Sequence, residues 1–534
     1  MGIWSYYFFA KLLLFVDGRI GFHFWPNLGF ALLLIVPLPR RWLRIVRQVA
    51  AIPAGIALLY FDSWLPPLSR VLSQTGNLSQ FRADYLLELL TRFINPWLLA
   101  GLAALFAVHQ VLARKLRMSS FAMGSILLAG LLSGLQGVAQ INTTGSAVAS
   151  SSPKSSAPES AAQPQHAATA AELDAQLAGF YQTEAGRRVG FPRVRQSDAP
   201  FDVIVLHICS LAWDDLDYAK ESGHPLMSRF DATMTAFNSA ASYSGPAAIR
   251  VLRGNCGQQK HADLYNPAPA GCSLFGELQQ AGFDPELLLN HDGHFGDFLK
   301  YVQDYGGLKV PMFDNRQAPV AIRAFDDSPV YDDGAVLSQW WKHRLNEPAP
   351  RVALYYNTIS LHDGNHIPGL KFSSPRESYR ARLELVFAGF QRFFDEIQTS
   401  GRKAIVVFVP EHGAALRGDR MQISGLREIP TPAISLVPIG IKLIGLRSPP
   451  QDGRQTADQP TSYVALSQLL AEFVADDPFD RPQLKLGDYL HDLPPTPQFV
   501  AENEETVVMR EGARYMMRSP EGTWSEYPVA PAGQ

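Results

Sequence analysis

Two unlike parts are expected from this sequence. The first is an N-terminal α-helical transmembrane bundle over residues 1–141. After a Ser/Ala/Pro-rich linker at 142–170 comes an α/β domain over 171–534, with a mainly parallel sheet sandwiched by helices and a small C-terminal β-meander. Charge is the first sign of this division: the net −3 of the whole chain resolves into +8 over residues 1–140 and −11 over the remainder. The second sign is a set of apolar runs of nearly membrane-spanning length, confined to the first part. The third is the alternation of short β-rich runs with longer helical patterns in the second part. Together they argue against a wholly cytosolic enzyme.

Four runs, at about 21–38, 49–65, 94–113 and 119–138, approach the roughly 17 to 25 residues with which a helix crosses about 30 Å of hydrocarbon. Helices satisfy their own backbone there, which loops in lipid do not. Arg40, Arg41, Arg44 and Arg47 follow the first run, and Arg114, Lys115 and Arg117 follow the third. The positive-inside rule therefore places both connections in the cytoplasm and the C-terminal part outside. The segment 66–92 then also lies outside, where the spacing of Tyr85, Leu86, Leu89 and Leu90 fits an amphipathic surface helix. The run 4–18 is short and interrupted by Lys11, but its aromatics suit an interface anchor, and a cytoplasmic N-terminus needs a fifth crossing there. A cleaved signal peptide would want a basic n-region and a small-residue cleavage site, and neither is present.

The linker has too little apolar bulk to offset the entropy of ordering and reads as a tether, with helix possible over part of 171–181. Beyond it, strands are expected at 202–207, 352–358, 404–410 and 440–444, helices at 277–281, 295–305, 334–344 and 379–400, and meander strands at 506–510, 513–518 and 524–527.

Ligands of open α/β sheets bind beyond the carboxyl ends of the strands. Cys209 follows the first strand, His362 to His366 the second, and Glu411 and His412 the third. Thiolate, carboxylate and imidazole are ligand types of zinc, and a catalytic zinc keeps one position open. Singly each is weak, since a strand-end cysteine is usually core and a Glu-His pair often caps a helix. A nucleophile comes from the run Ser242-Tyr243-Ser244-Gly245-Pro246, where Ser244 falls at a helix N-terminus that favours phosphate and lowers the cost of an alkoxide. An N-cap serine is the simpler reading of that residue taken alone.

At this point the motifs resemble a family. The stretches HICSLAWDD from His207, SYSGPAAIR from Ser242, GNCGQQKHADLY from Gly254, SPVYDDGAVL from Ser328, YYNTISLHDGNHIPG from Tyr355 and VPEHGAALRGDRMQISGLREIP from Val409 are similar to the membrane-anchored phosphoethanolamine transferases of the alkaline phosphatase superfamily. They resemble the BcsG family of cellulose biosynthesis more closely, with the linker and the residues after Arg447 outside the resemblance. It implies an alkaline-phosphatase-like domain in the periplasm of a bacterium, anchored in the inner membrane by several passes beside a cellulose synthase complex. The activity implied is zinc-dependent transfer of phosphoethanolamine from phosphatidylethanolamine to glucosyl 6-hydroxyls of cellulose. Carried over by position, Cys209, Glu411 and His412 would ligate zinc, Ser244 would be fourth ligand and nucleophile, His366 would handle the phosphoryl group, and Tyr243 stands beside the nucleophile. Lipid A-modifying relatives end the first strand with a carboxylate, so Cys209 points to the cellulose branch. Where relatives place a further histidine, this chain offers Arg417, Arg420 and Arg427, and Arg427 is the expected phosphate clamp, since a guanidinium binds two phosphoryl oxygens at once.

Cys256 and Cys272, 16 residues apart on the oxidising side of the membrane, are expected to pair, worth about 3 kcal/mol in the chain-entropy model. Cys209 is then the odd thiol. His261, His291 and His294 are candidates to touch substrate, although surface or capping roles explain them more simply; Asp332 and Asp333 are expected to cap the following helix. Competing readings are a lipid A-type transferase, a sulfatase-like hydrolase, which would want a Cys-x-Pro-x-Arg motif, and a mainly scaffolding subunit. The acidic outer part gives no support to nucleic-acid binding.

Overall fold

In the computed structural model, which describes residues 2–17, 20–63, 85–87, 96–142, 168–194, 200–504 and 506–528, every apolar run of the N-terminal part is helical. The chain forms two units, Met1–Ser79 with Leu86–Ala167, and Gln80–Tyr85 with Ala168–Gln534. The first holds helices Ile3–Val16, Phe24–Ile35, Arg41–Asp62, Pro96–Leu112 and Met118–Asn142. Among the described residues, one helix, Arg41–Asp62 with 22 residues, is long and apolar enough to cross a membrane by length and composition. It starts before the expected 49 and carries Arg41, Arg44 and Arg47 in its first turns, as suits a good helix former. Lys11, which interrupts the run 4–18, is buried 2.6 Å from Asp62 and 2.8 Å from Asn27 Oδ1. An apolar segment tolerates such a charge when it is paired. The expected surface helix around Tyr85, Leu86, Leu89 and Leu90 lies outside the described residues except for 85–87, and so does the linker except for its ends.

The second unit begins with helix Ala170–Ala185, longer than expected because Thr169 and Glu172 form a capping box. Its strands are β1 (Phe201–Ile208), β2 (Ala232–Asn238), β3 (Asp284–Leu289), β4 (Val320–Arg323), β5 (Pro329–Tyr331), β6 (Val352–Thr358), β7 (Lys403–Pro410), β8 (Leu436–Ile444) and β9 (Gln455–Ala457). Seven of them form one sheet in the order β3-β6-β1-β7-β8-β2-β9, and β4 pairs with β5 separately. The sheet is parallel except for β8, one of the four expected strands, which runs antiparallel to both neighbours.

Every residue of β1 is buried, because its two faces meet two separate cores. Val203 and Val205 pack with Phe275, Leu278 and Phe473, whereas Ile204 and Leu206 pack with Trp340, Phe387 and Phe390. Such double coverage makes central strands continuously apolar. The covering helices include Leu274–Ala281, Asp333–Arg344, Pro375–Ser400 and Tyr463–Asp476. The expected helix at 295–305 is instead broken into short turns, since Gly296 (φ 59°) and Asp297 (φ 57°) both adopt left-handed backbone. A separate antiparallel meander closes the chain: β10 (Val500–Asn503), β11 (Thr506–Glu511), β12 (Arg514–Arg518) and β13 (Trp524–Tyr527), one strand more than expected.

Candidate metal centre

Parallel register brings the site together. Ile208 of β1 lies beside Pro410 of β7, so the residues that follow, Cys209 and Glu411, emerge side by side at the carboxyl edge of the sheet. The two departing loops are tied by Glu411 N–H to Ile208 O (2.9 Å) and Leu211 N–H to His412 O (2.7 Å). Asp215, buried, adds a third tie: it accepts from Ala212 N–H (2.9 Å) in one loop and from Ala414 (2.7 Å) and Leu416 (3.2 Å) N–H in the other. The loops approach so closely that a Cβ on Gly413 would sit 2.8 Å from Ala212 Cβ and 2.9 Å from Asp215 Oδ2. Ser210 (φ 63°), Ala240 (φ 55°) and Ala415 (φ 52°), all beyond strand ends, hold left-handed backbone that costs a non-glycine residue on the order of 1 kcal/mol each.

Ser244 is the first residue of helix Ser244–Leu252, and Tyr243 occupies the cap position. The hydroxyl of Ser244 is directed to the cluster: Oγ lies 3.3 Å from Cys209 Sγ and 3.5 Å from His412 Nε2. Cys209, Glu411 and His412, all buried, offer ligand atoms within 4.8 Å of one another. At metal–ligand distances of about 2.0 to 2.3 Å, the edges of a tetrahedron are ~3.5 Å, so a small adjustment converges these atoms on one ion. His412 Nδ1 lies 2.9 Å from Gly413 O, which places the ring proton on Nδ1 and leaves the Nε2 lone pair facing the cluster. Glu411 Oε1 accepts from Asn357 Nδ2 at 2.5 Å, whereas Oε2, fully buried 3.5 Å from His412 Nε2, makes no hydrogen bond of good geometry. A thiol, an imidazole lone pair and an orphaned carboxylate oxygen are a donor set that fits a zinc-like cation.

Without a cation the cluster is electrostatically unfavourable. Burial, reinforced by the Glu411 charge, pushes the Cys209 thiol up to about 12, and burial raises Glu411 to about 7 against the pull of Ser244, Asn357 and Cys209. Burial, helped by the positive Arg427, holds His412 well below the usual imidazole range.

Arg427 is buried, donates from Nη1 to Ser210 Oγ (3.0 Å) and stacks over the Tyr243 ring at 5.3 Å. Tyr243 donates to Glu428 Oε1 at 2.8 Å. Arg417 and Arg420 are exposed, and Arg417 is held by Asp214 and Asp217, so of the three arginines it is Arg427 that faces the cluster. His366 lies on the loop after β6, its backbone paired with Arg323 at 2.9 Å in both directions. His362, named with His366 in the run after β6, has its pKa lowered to about 4 by burial and by Arg427. Neighbours of the site that the sequence did not single out are Asp215, Asn357 and His207; a signal existed for the last two, since each lies in the final two residues of a strand leading to the site.

The structure also separates the remaining candidates. Cys256 and Cys272 are disulfide-bonded and Cys209 is the free, buried cysteine. Asp332 caps its helix through Ala335 N–H (2.8 Å), but Asp333 is buried under Tyr356 and Ser360 instead. His261 is buried with Nε2 3.2 Å from the Tyr265 hydroxyl, His294 is an exposed ring between Asp292 and Asp326, and His291 is buried below the site.

The family model for the cellulose biosynthesis protein BcsG C-terminal domain matches residues 157–524, and that for the BcsG N-terminal domain matches residues 4–131. The match thus includes most of the residues after Arg447, which the motifs alone left out. The cellulose biosynthesis protein BcsG of Escherichia coli K12 is 40% identical over 98% of this chain and 96% of its own length. That of Salmonella typhimurium LT2 is 39% identical over the same shares. Among solved structures, a protein in the alkaline phosphatase superfamily from Vibrio parahaemolyticus is 12% identical with a TM-score of 0.46, covering 67% of this chain and 91% of its own.

Proposed function

The chain belongs to the BcsG family of cellulose biosynthesis proteins, and on that basis we propose that it is a zinc-dependent phosphoethanolamine transferase of the alkaline phosphatase superfamily. The donor is phosphatidylethanolamine and the acceptors are glucosyl 6-hydroxyls of cellulose, reached by a periplasmic domain tethered to the bacterial inner membrane beside the synthase. The observation that carries this reading is the convergence of Ser244 Oγ on Cys209 and His412, at the sheet edge where Glu411 leaves one carboxylate oxygen unpartnered.

Cys209, Glu411 and His412 would hold the zinc together with Ser244; when bound, it supplies positive charge that stabilises a serine alkoxide and a phosphoryl oxygen. Ser244, deprotonated, attacks the donor phosphorus. The P–O bond to diacylglycerol breaks, and His366 gives its proton to the leaving alkoxide. Arg427, already anchored on Ser210, holds non-bridging oxygens through its remaining N–H groups, and stacking on Tyr243 keeps its plane fixed. In the second half His366 takes the proton of a glucosyl hydroxyl, which attacks the same phosphorus and releases Ser244. A covalent stop at Ser244 lets a lipid and a polysaccharide use one site in turn.

The test is intact-mass and peptide mass spectrometry of the full chain in lipid nanodiscs containing phosphatidylethanolamine. Ser244 gains one phosphoethanolamine and Ser244→Ala gains none; an unmodified Ser244 after prolonged incubation without acceptor would sink the mechanism.

A further inference from the structure

Glu411 follows β7, and Asn357 is on β6, with β1 between them. Asn357 nevertheless reaches across: its Nδ2 donates to His207 O of the intervening strand (3.2 Å) and to Glu411 Oε1 (2.5 Å). On its other side, Asn357 Oδ1 lies 3.0 Å from His291 Nε2, just beyond β3. His291 Nδ1 in turn accepts the backbone N–H of Gly293 at 3.1 Å. That backbone group is only a donor, so it fixes everything after it. Nδ1 must carry a lone pair, the single proton of the neutral ring is on Nε2, Asn357 must turn its oxygen to His291, and its amide N–H groups must face Glu411. All three side chains are buried, and burial lowers His291 to about 4, so the ring is neutral at ordinary pH.

We propose that His291 and Asn357 are positioning residues for the metal. Their one-way chain of hydrogen bonds occupies Glu411 Oε1 and so presents Glu411 as a single-oxygen ligand through Oε2. This rests on the metal reading above, and it assigns work to a histidine that the sequence left as a possible substrate contact. Nothing in it needs a group to change protonation during turnover; the polarity of the chain is set once, by the backbone of Gly293.

Zinc affinity of the full chain, measured by competition with a chromophoric chelator, tests it. Loss of an outer hydrogen-bond partner of a metal ligand costs about 10- to 100-fold in affinity. Asn357→Leu and His291→Leu are expected to lose affinity in that range with Glu411 untouched, whereas His291→Gln, which keeps an N–H donor near the Nε2 position, restores most of it. Thermal unfolding of the metal-free variants separates this from general damage. If the Leu variants unfold like the native chain yet bind zinc as tightly, the inference fails; if the native chain itself binds no zinc, the metal reading fails instead. Should the Leu variants not fold, solid-state NMR of the native chain with 15N-labelled histidine decides: His291 protonated on Nε2 is expected, and protonation on Nδ1 overturns the proposal.

Discussion

Cys209, Glu411 and His412 show how far single residues carry the chemistry. At neutral pH the metal-free site holds a proton on Cys209, whose thiol lies at about 12, and is half protonated at Glu411, at about 7, while His412 is neutral. A cation must displace those protons, so its affinity rises with pH. The Cys209 proton alone gives roughly a tenfold rise per pH unit between about pH 7 and 9, and a Ser244 proton released with it adds to that; below 7 Glu411 contributes a further proton and the slope steepens. Chelator competition from pH 5.5 to 9 checks this, and a flat profile would contradict it. These three candidate ligands were legible in the sequence because they stand directly after apolar strands. The connection of Asn357 and His291 to Glu411 was not, because it runs between side chains of neighbouring strands whose order the sequence does not state. Arg427 was already preferred to Arg417 and Arg420 in the sequence, and the structure adds the reason Arg417 is set apart: Asp214 and Asp217 hold it at the surface.

Elements reveal what the pattern of hydrophobicity conceals. β1, β6 and β7 are plain in the sequence as short continuous apolar runs, the mark of strands covered on both faces. β3 is hidden because it begins Asp284-Pro285-Glu286, which looks like a turn, yet its place at the sheet edge tolerates proline. β2 is hidden by a register shift between Met234 and Phe237. The direction of β8 is invisible to composition altogether. The tie that Asp215 makes between the loops after β1 and β7 yields a prediction at this level. Asp215→Ala strands the buried N–H groups of Ala212, Ala414 and Leu416, each worth about 1 to 3 kcal/mol when unsatisfied. We expect a loss of about 3 kcal/mol in urea unfolding together with weaker zinc binding; a loss under about 1 kcal/mol would show that the loops hold each other without it.

For the chain as a whole, the near-neutral net charge is the sum of a basic N-terminal part and an acidic C-terminal one. Residues 168–534 contain the entire seven-stranded sheet, cores on both its faces, the meander and the disulfide. Expressed alone with an oxidised Cys256–Cys272 pair, this part is expected to unfold cooperatively and bind one zinc; an aggregated or unfolded product would mean that residues 1–167 are needed for the sheet to form. The three cysteines raise a matter of timing. Three thiols can be oxidised in three ways, and two of those consume Cys209 and with it the candidate site. The finished protein shields that thiol completely, at 0% exposure, whereas a nascent chain does not. If the chain matures in the oxidising compartment proposed for it, closing β1 between β6 and β7 has to outpace disulfide formation, so the yield of intact candidate site is set by folding speed as much as by final stability.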